Sequence, residues 1–280
     1  MPSNEQRREA AKRKLERQLA RRAERARRRR LIGVVGTVVV VVVAVGGIYF
    51  LTTQGHGDSS AAATPTPSPS TAPSAQTTGG PCKYTATPDE PAAKPVGLPD
   101  DPNPTPNQGT VAVTLKTNQG DIPITLDRAE APCTVQNFAH LVQAKFYDGS
   151  PCHRLTTADA LKVLQCGDPT GKGTGGPGYT IKDEKPTTLK ASPKGQGSTY
   201  PRGVLAMANT GQPNSGGSQF FMVYADSTLP PDYTVFGTIS PQGLQVLDRI
   251  AAAGDDGSNG QGDGKPKLPV TVQQAAMAAP

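Results

Sequence analysis

Between Gly203 and Val223 the chain reads Gly-Val-Leu-Ala-Met-Ala-Asn-Thr-Gly-Gln-Pro-Asn-Ser-Gly-Gly-Ser-Gln-Phe-Phe-Met-Val. Two short apolar runs flank a stretch of Gly, Pro, Asn and Ser in which no helix survives, so the segment is strand, loop, strand. The same grammar appears upstream. Val111, Val113 and Leu115 alternate with polar residues, Thr117 to Gly120 forms a tight turn, and Ile122, Ile124 and Leu126 alternate back, the period-2 pattern of a hairpin. The ordered part of this chain is therefore mainly β.

Helical spacing is confined to two places in this part of the chain. Val135, Phe138, Leu141 and Val142 follow Pro132, a residue suited to the first helical position, and Leu244 to Ala252 forms a second short amphipathic run. His140 falls in the first helix and is given no role. Pro269 to Val272 has the character of a closing strand.

The N-terminal third follows different rules. Leu31 to Leu51 holds no charge and no Pro over 21 residues, long enough as a helix to cross a bilayer core of roughly 30 Å. Residues 1–30 carry 13 Lys or Arg against 4 Glu, which leaves 16 basic and 19 acidic residues for the rest. The net positive charge of the chain thus belongs to its first arm, which argues against a nucleic-acid-binding domain. The asymmetry predicts a cytoplasmic arm (1–30), one transmembrane helix (31–51) and everything after Leu51 outside the cytoplasm. A cleaved signal peptide is disfavoured because Phe-Leu-Thr-Thr is a poor cleavage site. Residues 52–109, rich in Pro, Ser, Thr and Ala, read as a disordered linker, 110–274 as the folded domain and 275–280 as a tail.

Taken in order, Phe146-Tyr147-Asp148-Gly149, His153-Arg154, Gln165-Cys166-Gly167-Asp168, the Ala208-Asn209 to Phe221 stretch and Thr234-Val235-Phe236-Gly237 resemble the cyclophilins, a family of peptidyl-prolyl cis/trans isomerases. The resemblance runs from about Val111 to about Val272. It implies a closed eight-stranded antiparallel barrel capped by two helices, acting on Pro-containing polypeptides without cofactor or metal. The basic arm and Pro-rich linker are similar to those of actinobacterial anchored members.

Residue by residue, the resemblance assigns catalysis to Arg154, with Gln165 fixing its guanidinium, and substrate binding to Val163, Ala208, Asn209, Gln219, Phe221, Leu229 and Tyr233. An arginine suits the chemistry. The barrier to X-Pro rotation, near 20 kcal/mol, reflects lost amide resonance, and a donor to the pyramidal prolyl nitrogen stabilises only the twisted state. No nucleophile or titrating His is needed, and no Gly-x-Ser-x-Gly elbow is present. His153 reads as a core residue rather than a base.

Three departures from the family pattern bear on the pocket. Thr156 to Gln165 replaces a shorter connection and puts Lys162 where the family has an aromatic, with Leu161 the candidate to rotate in. Thr228 stands where many cyclophilins carry the Trp that cyclosporin contacts, which predicts weak cyclosporin binding. Tyr233 stands where His is common. The alternative to an enzyme is a cyclophilin-fold module that binds Pro-containing segments with little turnover; a structural spacer or adhesin would require the groove residues to be dispensable.

Gly171-Lys-Gly-Thr-Gly-Gly176 matches a dinucleotide fingerprint in form only, since Pro177-Gly178 cannot open a helix, and reads as a flexible surface loop. The acidic, Gly-rich run Gly254 to Gly264 lacks an EF-hand ligand register and reads as a solvated loop. The four Cys, at 82, 133, 152 and 166, all fall outside the cytoplasm in this topology, where disulfides persist. Strand alternation puts Cys152 on the face of Arg154 and Gln165 and Cys166 on the other. That disfavours a Cys152–Cys166 bridge; of the two pairings that remain, Cys133–Cys152 with Cys82–Cys166, which would tie the linker's end to the domain, is the one expected.

Overall fold

The structure, a computed structural model, describes residues 81–193 and 196–278. The arm, the apolar run Leu31 to Leu51 and the linker up to residue 80 lie outside the described residues. Among the described residues no helix is long and apolar enough to cross a membrane.

The described residues form fourteen short strands and two helices in the order β1 (Thr85–Ala86), β2 (Thr110–Thr117), β3 (Gly120–Asp127), α1 (Pro132–Gln143), β4 (Ser150–Pro151), β5 (Arg154–Thr156), β6 (Val163–Cys166), β7 (Tyr179–Thr180), β8 (Ser198–Tyr200), β9 (Val204–Met207), β10 (Phe220–Val223), β11 (Ser227–Leu229), β12 (Val235–Ile239), α2 (Pro241–Ala253), β13 (Asp263–Gly264) and β14 (Thr271–Met277). Ten strands form one antiparallel sheet in the order β13, β5, β6, β10, β9, β12, β3, β2, β14, β4. The closed eight-stranded barrel is thereby corrected. The sheet curls, but its outer strands β13 and β4 do not pair with each other. Its two ends are joined covalently instead, because Pro151 ends β4 and only Cys152 and His153 separate it from β5. Pairs β1–β7 and β8–β11 stand apart from the main sheet.

The first hairpin forms as its alternation dictates. Thr117 pairs with Gly120 across a two-residue turn, where the Thr117 hydroxyl accepts from the Gln119 N–H and donates to the Gly120 carbonyl. Leu115, Ile122 and Leu126 are fully buried. They join Phe138 of α1, Phe220 and Phe236 in the main core, with Phe138 in ring contact with both, at 5.2 and 5.3 Å.

Both helices begin at Pro, with different caps. Ser240 Oγ accepts from the Gly243 N–H at the start of α2. No local side chain caps α1. The Glu184 carboxylate, 50 residues on, accepts from the N–H groups of Cys133 and Thr134 instead, a negative charge on the positive end of the helix dipole. The last strand runs to Met277, past the expected domain end at 274.

The described part of the linker, 81–109, is fixed to the domain as a strap. β1 pairs with β7, the Ala93 N–H donates to the Gly176 carbonyl, and the Lys94 ammonium donates to the Phe146 and Asp148 carbonyls. Cys82 is buried and disulfide-bonded to Cys133 at the start of α1.

The second bridge is Cys152–Cys166, so the pairing expected from the sequence is wrong in both bonds. Alternation fails because it was carried through residues that are not strand: Cys152 and His153 lie between β4 and β5, where the backbone turns from one end of the sheet to the other. Cys152 turns inward there and meets Cys166 in the core at a Cα separation of 4.0 Å. The linker's end is tied to the domain as expected, through Cys133 rather than Cys166.

Candidate active site

One row of residues crosses the curled sheet on the face opposite the core. In register, Arg154 lies opposite Gln165, Gln165 opposite Phe221, Phe221 opposite Ala206, and Ala206 opposite Val235. Strand alternation sends their neighbours the other way. Phe220 is fully buried against Phe138 and Tyr147, whereas Phe221 belongs to a second apolar cluster with Val163, Tyr200, Val204, Ala206 and Val223. The pair splits, one ring to the core and one to the outer face.

Ala208, Leu229 and Tyr233 pack against this second cluster, and so does Leu161. The Tyr233 ring meets Phe221 edge-on at 5.5 Å. Leu161 is half-buried against the cluster that holds Phe221 and Val163. Lys162 turns away, its ammonium donating to the Thr157 carbonyl at 2.5 Å. Five of the expected substrate-binding residues, Val163, Ala208, Phe221, Leu229 and Tyr233, therefore share one apolar patch.

The polar edge of the patch is a chain of hydrogen bonds. Arg154 Nη1 donates to Gln165 Oε1 at 3.3 Å, Gln165 Nε2 donates to Gln219 Oε1 at 3.0 Å, and Gln219 Nε2 donates to the carbonyls of Gly173 and Gly175. Asn209 stands at the far side, its amide donating to the Asp232 carbonyl and accepting from the Gly211 N–H. Ala208, Asn209, Gln165 and Gln219 line a cleft of about 560 Å³ beside the patch. A second cleft of about 480 Å³ is bordered by His153, Arg154, Gln165, Lys172 and Lys265 and shares Gln165 with the first.

Sequence reasoning missed the strongest contact in the site. Asp263, in β13 beside β5, grips Arg154 with both oxygens, accepting from Nε at 2.8 Å and Nη2 at 2.6 Å. This bidentate fork fixes the guanidinium plane far more firmly than the single Gln165 contact. The Arg154 hydrogen bond holds the Asp263 carboxyl below its ordinary range, and that bond likewise raises the arginine. Three of the five guanidinium N–H groups are committed to Asp263 and Gln165, leaving two. Asp263 sits in the run read as a solvated loop, and spacing gave no sign that its end would pair with β5. The only available signal was an Asp between two Gly just before the closing strand.

The Gly171–Gly176 loop is a wall of the site rather than a free surface loop. Asp168 organises it. Its carboxylate accepts from the N–H groups of Thr170, Lys172, Gly173 and Thr174. Burial pushes Asp168 up, but hydrogen bonds from Gly175, Thr170 and Gly173 outweigh it and hold the carboxyl below its usual value. The next element is the strand β7, not a helix, so no dinucleotide site exists here. Just before Asp168, Gly167 has φ +95°, and a Cβ there would lie 2.3 Å from the Ser218 carbonyl oxygen, so the close crossing of the two chains requires glycine. Burial keeps His153 below its ordinary pKa, with Asp168 opposing and Arg154 assisting. A neutral imidazole without a hydrogen-bond partner among the described residues fits a packing role.

A curled antiparallel sheet with a guanidinium and two carboxamides fixed along the rim of an apolar patch defines a β protein whose site lies on the outer face of the sheet. Residues 112–277 match the family model described as cyclophilin type peptidyl-prolyl cis-trans isomerase/CLD, and the chain belongs to that family. It is 51% identical over 202 residues to the probable peptidyl-prolyl cis-trans isomerase B of Mycobacterium tuberculosis, covering 71% of this chain and 64% of that protein. The corresponding protein of Mycobacterium leprae is 49% identical over 199 residues, covering 70% and 66%. The chain thus spans a little under two thirds of the length of these relatives. A cyclophilin type peptidyl-prolyl cis-trans isomerase from Cryptosporidium parvum overlays with a TM-score of 0.47 at 27% identity, covering 61% of this chain and 99% of that one.

Proposed function

We propose that the chain is a peptidyl-prolyl cis/trans isomerase that works without covalent steps, with Arg154 donating to the prolyl nitrogen as it becomes pyramidal. The observation that carries this reading is the fixed guanidinium: Asp263 and Gln165 hold three of its N–H groups at the rim of the Phe221 patch and leave two for a substrate. Preorganised donors of this kind stabilise developing charge without reorganising at the moment of reaction. The proline ring rests on Phe221, Val163, Leu229 and Tyr233, and the flanking chain runs along Ala208, Asn209 and Gln219. NMR exchange on an Ala-Pro peptide tests it: the full-length chain should speed cis/trans exchange from tens of seconds or slower into the sub-second range. Unchanged exchange at saturating protein would refute it.

Peptide binding with little turnover is the second reading, and one observation favours it. The bidentate Asp263 neutralises the guanidinium that must stabilise the transition state.

The expected setting is a single-pass membrane anchor with the domain outside the cytoplasm, serving exported proteins. The basic arm and the uncharged run Leu31 to Leu51 support it, as do two disulfides, which persist in oxidising compartments. Protease added to intact cells should remove the domain; full protection would contradict this. Thr228, where a Trp is common in the family, shares a 2.6 Å hydrogen bond with Ser192 and offers no indole surface. Calorimetry should therefore show weak cyclosporin binding, and a nanomolar affinity would contradict it.

A further inference from the structure

The cleft beside Gln165 and Gln219 has a wall that comes from outside the matched family region. Glu90 and Pro91, on the strap, line it together with Ala208, Asn209 and the two glutamines. The strap is held in place around them. The Thr87 N–H donates to the Gly178 carbonyl, and the Glu90 N–H donates to the Thr87 carbonyl, while the Thr87 hydroxyl donates back to the Glu90 carbonyl. The Ala93 N–H donates to the Gly176 carbonyl, and Cys82–Cys133 ties the start of the strap to α1.

Glu90 is the sole residue with a formal charge among the described residues that line this cleft. Its carboxylate is exposed and has no hydrogen-bond or ion-pair partner among the described residues. A carboxylate with no internal partner, positioned by a pinned turn at the edge of an otherwise neutral cleft, attracts cations and repels anions from it.

We propose that the strap is part of the substrate site, with Glu90 selecting polypeptide segments that carry a lysine or arginine within a few residues of the proline and disfavouring acidic ones. This rests on the isomerase reading of the same site and adds its charge preference. The matched family region begins at residue 112, so the selecting group is supplied by a segment outside it that β1–β7 pairing, backbone hydrogen bonds and one disulfide fix to the domain.

The test uses the full-length chain and Ala-Pro peptides identical except for Lys, Gln or Glu at one position, placed in turn two and three residues to either side of the Ala-Pro pair. NMR exchange gives kcat/KM and chemical-shift titration gives affinity. At about 20 mM ionic strength the best-placed Lys peptide should exceed its Glu counterpart about three- to tenfold, shrinking toward unity at about 0.5 M salt. Glu90→Gln should abolish the preference and Glu90→Lys invert it. Cys82→Ser with Cys133→Ser should weaken the preference while keeping turnover of the Gln peptide. Turnover of all peptides at equal rates by wild type, or a Lys preference that survives Glu90→Lys, would overturn the proposal. Charge-selective binding without exchange would support the proposal while refuting the isomerase reading. Absence of both binding and exchange would refute both.

Discussion

Strand β10 faces two environments that look alike in composition and differ in purpose. On one face Phe220 and Met222 are sealed among Phe138, Tyr147 and Phe236. On the other Phe221 and Val223 pack with Val163, Ala206 and Tyr200, and the polar row of Arg154, Gln165 and Gln219 bounds them. Both faces are apolar and nearly buried, Phe220 at 0% and Phe221 at 5% exposure. What separates them is the company at the edge: the first cluster is closed by more ring and aliphatic carbon, the second by hydrogen-bonding groups held in fixed directions. Burial alone does not tell a core from a site, whereas a row of mutually satisfied polar side chains along one rim does.

The sharpest way to break this comparison is to truncate each ring. Phe220→Ala opens a cavity in the core and should destabilise the domain by about 3–5 kcal/mol, read by urea denaturation. Phe221→Ala should cost less stability and instead raise KM for Ala-Pro peptides. Equal stability losses with equal kinetics would show that the two faces do not differ.

Removing the strap's anchor has the next largest effect. Cys82→Ser with Cys133→Ser releases a link across 51 residues and should lower stability by about 2–4 kcal/mol. Turnover of a neutral Ala-Pro peptide should persist, since neither cysteine touches the row. Loss of that turnover in the folded variant would place the strap inside the catalytic machinery.

A smaller effect is expected at Asp263. Asp263→Asn keeps the shape but loses the charged fork, and kcat/KM should change by about tenfold. A fall means that orientation of Arg154 governs; a rise means that neutralisation does, as the binding-module reading requires. The carboxyl titrates below its ordinary value in the folded state, so its contribution to stability is complete above about pH 4 and fades as the pH drops through the lowered value. The melting temperature of wild type should fall on acidification below about pH 4, and that of Asp263→Asn should fall less. Parallel pH profiles would remove Asp263 from the account.

The first hairpin, the strands of the central stretch and both helices were legible because alternation and helical spacing are local properties, and β2, β3 and α1 follow them closely; β1, in the run read as a linker, was not. Phe221 and Gln165 were legible through the family resemblance; parity within a strand separates Phe220 from Phe221 without saying which of them faces the core. Parity failed at Cys152, where the chain leaves the strand to pass between β4 and β5. Contacts across long separations left no local trace. Asp263 reaches Arg154 over 109 residues, and Glu184 caps α1 from 50 residues away. The curl of the sheet is of this kind too, since short strands do not reveal whether the ends of a sheet will pair.

The most direct measurement is the Ala-Pro exchange rate catalysed by the full-length chain and by Arg154→Ala, with denaturation curves for both. The account predicts an active wild type and a folded variant whose kcat/KM is at least about a hundredfold lower, some 2.7 kcal/mol of transition-state stabilisation. A folded Arg154→Ala variant as active as wild type would contradict the central claim that a fixed guanidinium performs the isomerisation.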